Sequence, residues 1–387
     1  MGGSIDRLTC CGSPFAVGSR RHRTARRVGR RLTLAVLTWL GVLAMPVSVA
    51  APLDGFFEAL PHLGTPRVGY IEGSIDRMNR TLDVFNLRPN DLADDAAGNL
   101  QGFHIRGGYG LTERLWIDGA LLRRQIRYGA LEPSFDSWLI GIQNKLPLPD
   151  NWHRSIDAAL RVSLWGTRTD SIKASPEQLR GRSVFAFLDD LSVDRPRDRQ
   201  LQMDLVGTRW LGPVAISAFA GIGRGKVQLE SVTARFGSEV RRWADGQFYD
   251  EAGQVDQLAA SLARQLELAD ELNSVNYSTR FAQAGLGLRV PLGDRWAVRA
   301  AYQWFQIRRS TDELIAERSI GQASYRLNHT LLGELSYRFA GQGRVFVRGQ
   351  AMSNLFLSEM PLLYNSLTAH RFGERYGIVS VGLMLGF

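Results

Sequence analysis

The chain has 387 residues, 44% of them apolar and 22% charged, with a formal net charge of +9. That length builds one large domain or two ordinary ones, and the balance excludes a disordered or collagen-like chain. The charge is unevenly spread: residues 1–50 hold eight of the 47 Lys and Arg and one of the 38 Asp and Glu, leaving 39 against 37, a net +2, for the rest. A nucleic-acid partner therefore loses its main support.

The first element is a leader. Arg20, Arg21, Arg23, Arg26, Arg27, Arg30 and Arg31 precede the uncharged run Leu32–Leu53, which carries small residues at Ser48, Ala50 and Ala51. A basic segment, an apolar core and a small-x-small site read as a secretory signal peptide over residues 1–50, cut after Ala50 or Ala51. The rival reading is a retained signal anchor, against which Pro46 and the Ser48-Val49-Ala50 site both argue. Both cysteines, Cys10 and Cys11, lie in the leader, so the mature chain is expected to use no disulfide, no Cys-ligated metal and no thiol chemistry. Residues 51–65 are expected to form a short periplasmic segment.

From residue 66 to 387 the pattern becomes segments of about ten residues with alternating polarity, the signature of transmembrane strands. They are Pro66–Asp76, Leu100–Leu111, Arg114–Tyr128, Phe135–Leu146, His153–Thr167, Gln200–Leu211, Pro213–Gln228, Tyr277–Val290, Arg295–Arg308, Ala323–Phe339, Arg344–Leu355 and Arg375–Phe387. Five connections are short and turn-like, at Thr112, Pro147–Asn151, Leu211–Pro213, Pro291–Arg295 and Phe339–Gly343, and they alternate with six longer polar ones. The expected fold is all-β: a membrane-spanning antiparallel up-and-down β-barrel of about twelve strands with both termini on the short-turn side. Arg80–Leu87 and Arg182–Leu188 would raise the number to fourteen, and they read better as extensions above the membrane. Pro66–Asp76 alternates poorly, and the pattern of Arg114–Tyr128 breaks near Leu121–Leu122, where a bulge is expected.

Beyond residue 53 no uncharged run reaches the roughly 18 residues of a transmembrane helix. In Arg295–Arg308 one face carries Trp296, Val298, Ala300, Tyr302 and Trp304, and the other Arg299 and Gln303. A soluble sandwich alternates in the same way. The leader, the sorting of connections by length and the aromatics beside the short turns (Tyr109, Trp116, Trp152, Trp210, Trp296, Phe339, Phe387) decide for a membrane barrel with an interfacial girdle.

The leader, together with a final strand bearing Val379, Val381, Leu383, Leu385 and Phe387, resembles bacterial outer-membrane β-barrel proteins. The likeness covers the mature chain as architecture, and its strongest motif is the last ten residues. It implies a Gram-negative-type outer membrane, Sec export, contact with outer-membrane lipids and lipopolysaccharide, and insertion by the barrel assembly machinery, with Val381, Leu383, Leu385 and Phe387 as the assembly signal. No particular barrel family is matched, so no functional residue is carried over.

The face expected to point inward holds His104, Arg106, Arg124, Lys145 and Arg161, then Arg289, Arg299, Arg326, Arg338 and Arg348, with the acids Asp118, Asp157, Asp204 and Glu334. Charges so placed must be paired or wet. Wet, they line a channel for small polar, anionic solutes; paired, they hold a closed lumen together. A twelve-stranded barrel lies between the filled eight-stranded and the open porin sizes, and both readings stand. The loop over 229–276 contains a helical stripe, Leu258, Leu262, Leu266 and Ala269, that would fold into the mouth or lie over the rim. The acidic pieces around Asp91, Asp94 and Asp95 and around Asp189, Asp190 and Asp194 lack the Gly and Glu of a calcium loop and read as solvated. A lipid hydrolase or protease is the alternative from another class, with His104, His329, Ser353 and Asn354 to consider; no nucleophile elbow is present, and no catalytic residue, metal or cofactor is assigned. A surface adhesion or structural barrel with a closed lumen is the third reading.

Overall fold

The computed structural model describes residues 67–78, 100–126, 133–148, 156–174, 189–265, 275–313, 326–353 and 376–387. In chain order these form β1 (Gly69–Met78), β2 (Leu100–Gly110), β3 (Leu115–Ile126), β4 (Ser134–Lys145), β5 (Ile156–Arg168), β6 (Ser171–Ala174), β7 (Asp190–Asp194), β8 (Arg197–Leu211), β9 (Val214–Gln228), β10 (Ser231–Phe236), β11 (Glu239–Ala244), β12 (Gln247–Tyr249), helix α1 (Gln257–Gln265), β13 (Tyr277–Leu292), β14 (Trp296–Arg309), β15 (Leu327–Ala340), β16 (Gly343–Met352) and β17 (Tyr376–Gly386). Twelve of the strands close into one barrel, in the order β1-β17-β16-β15-β14-β13-β9-β8-β5-β4-β3-β2, and each coincides with a strand expected from the sequence.

Closure depends on β1 and β17, which pair antiparallel from Tyr70↔Gly386 to Arg77↔Val379. With that seam made, the wall has no open edge, so its backbone hydrogen bonds are satisfied internally, as hydrocarbon requires. The period of two then sorts the side chains. On β14, Trp296, Val298, Ala300 and Tyr302 are exposed outward while Arg299, Ala301, Gln303 and Phe305 are buried inward. Ile75 and Leu121 are each 64% exposed and Leu286 60%, on a surface that continues around the wall. In water that face would forfeit roughly 25 cal/mol for each Å² left unburied; against lipid tails it is at home. The barrel therefore spans a membrane. Among the described residues no helix is long and apolar enough to cross one.

Two expectations about local structure fail. β3 keeps an unbroken register against both neighbours, Leu100↔Ile126 to Gly110↔Trp116 and Leu115↔Asn144 to Gln125↔Ser134, so no bulge interrupts Leu121–Leu122. Leu122 and Ile126 simply turn inward in the same row as Asp118 and Arg124, and apolar residues on the polar face disguised the alternation. The register does shift between Arg338 and Ala340. Trp116 is also no part of an outer girdle: it is 1% exposed and stacks inside on Tyr70, ring centroids 6.1 Å apart. Trp210, Trp296, Phe339 and Phe387 do face outward near the short turns, and Trp152 lies outside the described residues.

Regions expected as loops, 168–199 and 229–276, contain a second sheet, β12-β11-β10-β7-β6. It continues the barrel ladder beyond the long-connection rim. β5 runs on into β6, β7 leads into β8, and β9 runs on into β10, joined by hydrogen bonds such as Thr169 N–H to Pro196 O at 3.1 Å and Glu230 N–H to Asp194 O at 3.0 Å. These strands are short and bear charge, so they lack the ten-residue alternation by which the barrel staves are recognised. Their core is Leu191, Val232, Trp243 and Phe248, against which Ala263 of α1 is buried. The helix presents Ala259, Ala260 and Ala263 to the sheet, whereas Leu258 is 70% exposed and so lies off the packing face. Leu266 and Ala269 lie outside the described residues, as do Arg80–Leu87, Arg182–Leu188 and the acidic piece at Asp91–Asp95. Asp194 accepts hydrogen bonds from Ser192, Ser231 and Thr233, and Asp189 accepts one from the Gly237 N–H.

Candidate functional site: the barrel interior and its short-turn mouth

The register determines which inward residues can meet. Across five consecutive strands Arg289 lies opposite Arg299, Arg299 opposite Glu334, Glu334 opposite Arg348, and Arg348 opposite Ser380. β1 then continues the row, with Asp76 opposite Ser380. Within this row Arg348 donates from Nε to Glu334 Oε2 at 2.9 Å and from Nη1 to Glu72 Oε1 at 3.2 Å, and its Nη2 lies 2.8 Å from Glu334 Oε2 as an ion pair. Its guanidinium carbon lies 4.5 Å over the Phe346 ring, and Arg299 approaches Glu334 at 3.6 Å. Glu72 and Asp76 then flank His104, at 3.2 Å from Nε2 and 3.0 Å from Nδ1. A chain of alternating basic and acidic side chains thus runs Arg299, Glu334, Arg348, Glu72, His104, Asp76, all buried, across the seam that closes the wall.

A second cluster occupies the opposite arc. Arg161 Nη1 and Nη2 donate to the two oxygens of Asp118 at 2.5 and 2.6 Å, a bidentate pair, and its Nε donates to Ser163 Oγ at 3.0 Å. Asp204 accepts from Gln202 and Gln283, each at 2.6 Å, and Gln303 donates to Gln283 Oε1 at 2.6 Å. Glycine makes both spans feasible. A Cβ at Gly141, on the strand between Asp118 and Arg161, would collide with the guanidinium, and one at Gly221, between Asp204 and Gln283, with the carboxylate. Toward the short turns Lys145 pairs with Asp157 at 2.5 Å, and at the opposite end Arg326 pairs with Asp312 at 3.0 Å. Arg106 and Arg124 are buried on the same inner face as His104.

At the short-turn end the lining changes character. A cavity of about 320 Å³ opens there, bounded by Arg289, Arg295, Arg299, Arg338 and Arg344 with Asp294, and floored by Tyr70 and Met384. Five arginines and one acidic residue line this cavity, Arg299 also pairing with Glu334 and Arg295 donating to Tyr337 OH at 3.1 Å, so the lining carries a net positive charge whose field low-dielectric walls concentrate.

Hydrolytic chemistry finds less to work with. Ser74 Oγ lies 2.9 and 3.0 Å from the two ring nitrogens of His104, with Asp76 alongside. Both nitrogens also face carboxylate oxygens, so the ring bridges Glu72 and Asp76. His329 is on the outer face, its Nδ1 2.8 Å from Tyr302 OH, and cannot join His104 through the wall. Ser353 Oγ accepts the His329 backbone N–H at 2.8 Å and donates to Asn328 Oδ1 at 3.2 Å; Asn354 lies outside the described residues.

Sequence reasoning missed Glu72, Asp76, Arg295 and Arg344. The first two sit on β1, whose alternation is masked by the inward Tyr70 and by Gly73; the signal available was the Glu-x-Ser-x-Asp spacing from 72 to 76.

No family model and no curated protein matches the chain. Among solved structures, it is similar to the translocator domain of the autotransporter NalP from Neisseria meningitidis, at 11% identity over 93% of this chain and 98% of that one, TM-score 0.47. It is similar also to the CymD monoaromatic hydrocarbon channel, at 10% identity over 89% and 95% of the two chains, TM-score 0.40. A third similarity is to the Ralstonia pickettii toluene transporter TbuX, at 9% identity over 88% and 95%, TM-score 0.39. The fold assignment stands on this chain's own strand pairing.

Proposed function

We propose that the protein is an outer-membrane barrel that passes small anionic solutes, which gather in the arginine-lined vestibule at its short-turn mouth. The observation that carries this reading is the 320 Å³ cavity ringed by Arg289, Arg295, Arg299, Arg338 and Arg344. The buried ion-pair chain beyond it is the constriction, so flux is low and selective. In this reading residues 1–50 direct export and are removed, the short turns and both termini face the periplasm, and the assembly machinery reads the last strand. Liposome swelling tests it: a small dicarboxylate is expected to enter protein-bearing liposomes faster than a neutral sugar of equal size. Equal rates for the two would reject the anion preference.

A second reading draws on the continuous buried pairing of Glu72, His104, Glu334 and Arg348. There the interior is a closed structural wall and the loops do the work. Swelling no faster than in protein-free liposomes, for any solute, is the outcome it predicts.

A further inference from the structure

The vestibule at the short-turn mouth has two chemistries, and the passage of an anion uses only one of them. Its walls are arginines, but its floor is Tyr70 and Met384. Those two side chains form an apolar cluster with Trp116, whose ring stacks on Tyr70 at an interplanar angle of 15°. Gly108 on β2 lies opposite Tyr70, and a Cβ there would strike both rings, so the sequence leaves space for them. An aromatic and thioether surface is thereby set into an inner face that is otherwise charged. A small hydrophilic anion would make no use of it.

The register fixes how far apart the two chemistries stand. Arg338 lies opposite Arg344, and Arg344 opposite Met384, so two cations and a thioether share one row on three adjacent strands. Tyr70, opposite Gly386, sits one pleat further toward the short turns. At about 4.8 Å between strands the row from Arg338 to Met384 spans about 10 Å. That is the reach of one ring, its carboxylate and the hydrogen bonds the carboxylate accepts. Arg338 is exposed to the cavity, and among the described residues no ion pair involves it. Its planar fork can therefore take both oxygens of a carboxylate. The volume of about 320 Å³ lies at the small end of ligand pockets. It suits one ring better than a chain of them.

Building on the anion reading above, we infer that the vestibule is a binding subsite for carboxylates that carry a single aromatic ring. The carboxylate docks on Arg338, with Arg344 beside it. The ring lies on Tyr70 and Met384, where ring stacking and sulfur contact add to the burial of apolar area. Hydrophilic anions engage the first half of the site alone, and neutral aromatics the second half alone.

Isothermal titration of the full protein in detergent micelles tests this, with benzoate, acetate and benzamide as probes and empty micelles as the blank. Benzoate is expected to bind about tenfold more tightly than acetate, through the ring it buries, and more tightly than its neutral isostere benzamide. Arg338→Gln is expected to weaken benzoate and acetate alike, about tenfold. Met384→Gln is expected to bring benzoate down to the level of acetate and to leave acetate unchanged, whereas Met384→Leu keeps the preference. Heat-modifiable electrophoretic mobility checks that each variant is folded. Equal affinity for benzoate and acetate in the wild type would overturn the aromatic subsite and leave the anion reading standing. Benzamide binding as tightly as benzoate would remove the arginines from the subsite. Binding of neither acid would overturn the anion reading together with this one.

Discussion

Glu72 and Arg348 meet at 3.2 Å inside the barrel although 276 positions separate them in the chain. They sit on β1 and β16, the two neighbours of β17, so the pair bridges the strand that closes the wall. Both side chains are 0% exposed, and removing one partner would leave the other charge buried beside Glu334 or His104. Glu72→Ala is therefore expected to cost about 3 kcal/mol or more. Urea unfolding in detergent micelles, followed by tryptophan fluorescence, measures it, and an unchanged midpoint would remove the pair from the account of closure.

Gly221→Ala tests the bridging of strands over glycine. A Cβ there would overlap Asp204 Oδ1, which must stay in place to accept from Gln283, so a loss of about 1–3 kcal/mol is expected. Gly333→Ala on β15, where a Cβ meets open space, is expected to be near neutral in the same unfolding assay. Equal losses would mean that glycine content, rather than clearance, governs the wall.

Asp256 caps α1, its Oδ1 accepting the Ala259 N–H at 2.8 Å. That hydrogen bond, assisted by Arg241 at 2.7 Å, holds its carboxyl below the usual value of 3.8. A folded-state value below the unfolded one contributes stability that is fully present above pH 3.8 and is lost as pH falls through the lowered value. Hydrogen exchange over Gln257–Gln265 is expected to be slow and flat at neutral pH and to accelerate on acidification beyond the intrinsic pH trend. In Asp256→Asn that acid-dependent step is expected to disappear.

Phe387 is fastened to the first strand by reciprocal hydrogen bonds, Gly69 N–H to Phe387 O at 2.8 Å and Phe387 N–H to Gly69 O at 2.9 Å. Its ring lies over Gly69 and stacks on Tyr109, so a Cβ at position 69 would strike it. Gly69→Val and Phe387→Ala are both expected to lower the heat-modifiable, folded fraction recovered from membranes. A yield equal to wild type for both would show the seam closing without the aromatic.

The staves were legible in the sequence because lipid on one side and a polar interior on the other impose a two-residue period over ten or more residues. Trp296 to Trp304 displays it plainly. The period blurs where the interior accepts apolar groups, as at Leu122 and Trp116, and where an inward glycine clears space for a neighbour. The inner polar clusters were half visible: Arg161, Arg299, Glu334 and Arg348 follow from alternation, but their partners depend on which strands are neighbours and on how far a side chain reaches over Gly141 or Gly221. The sheet beyond the rim was not legible, since β6, β7 and β10 are short continuations of the barrel ladder whose pairing comes from the strands beneath them.

Anion selection at the short-turn vestibule, as proposed, is an electrical property of the barrel. The reversal potential of purified protein in a planar bilayer, under a KCl gradient, measures it most directly. A small conductance with a reversal potential of anion-selective sign is predicted, moving toward zero in the Arg338→Gln, Arg344→Gln variant. Cation selectivity, or no conductance above that of the bare bilayer, would contradict it.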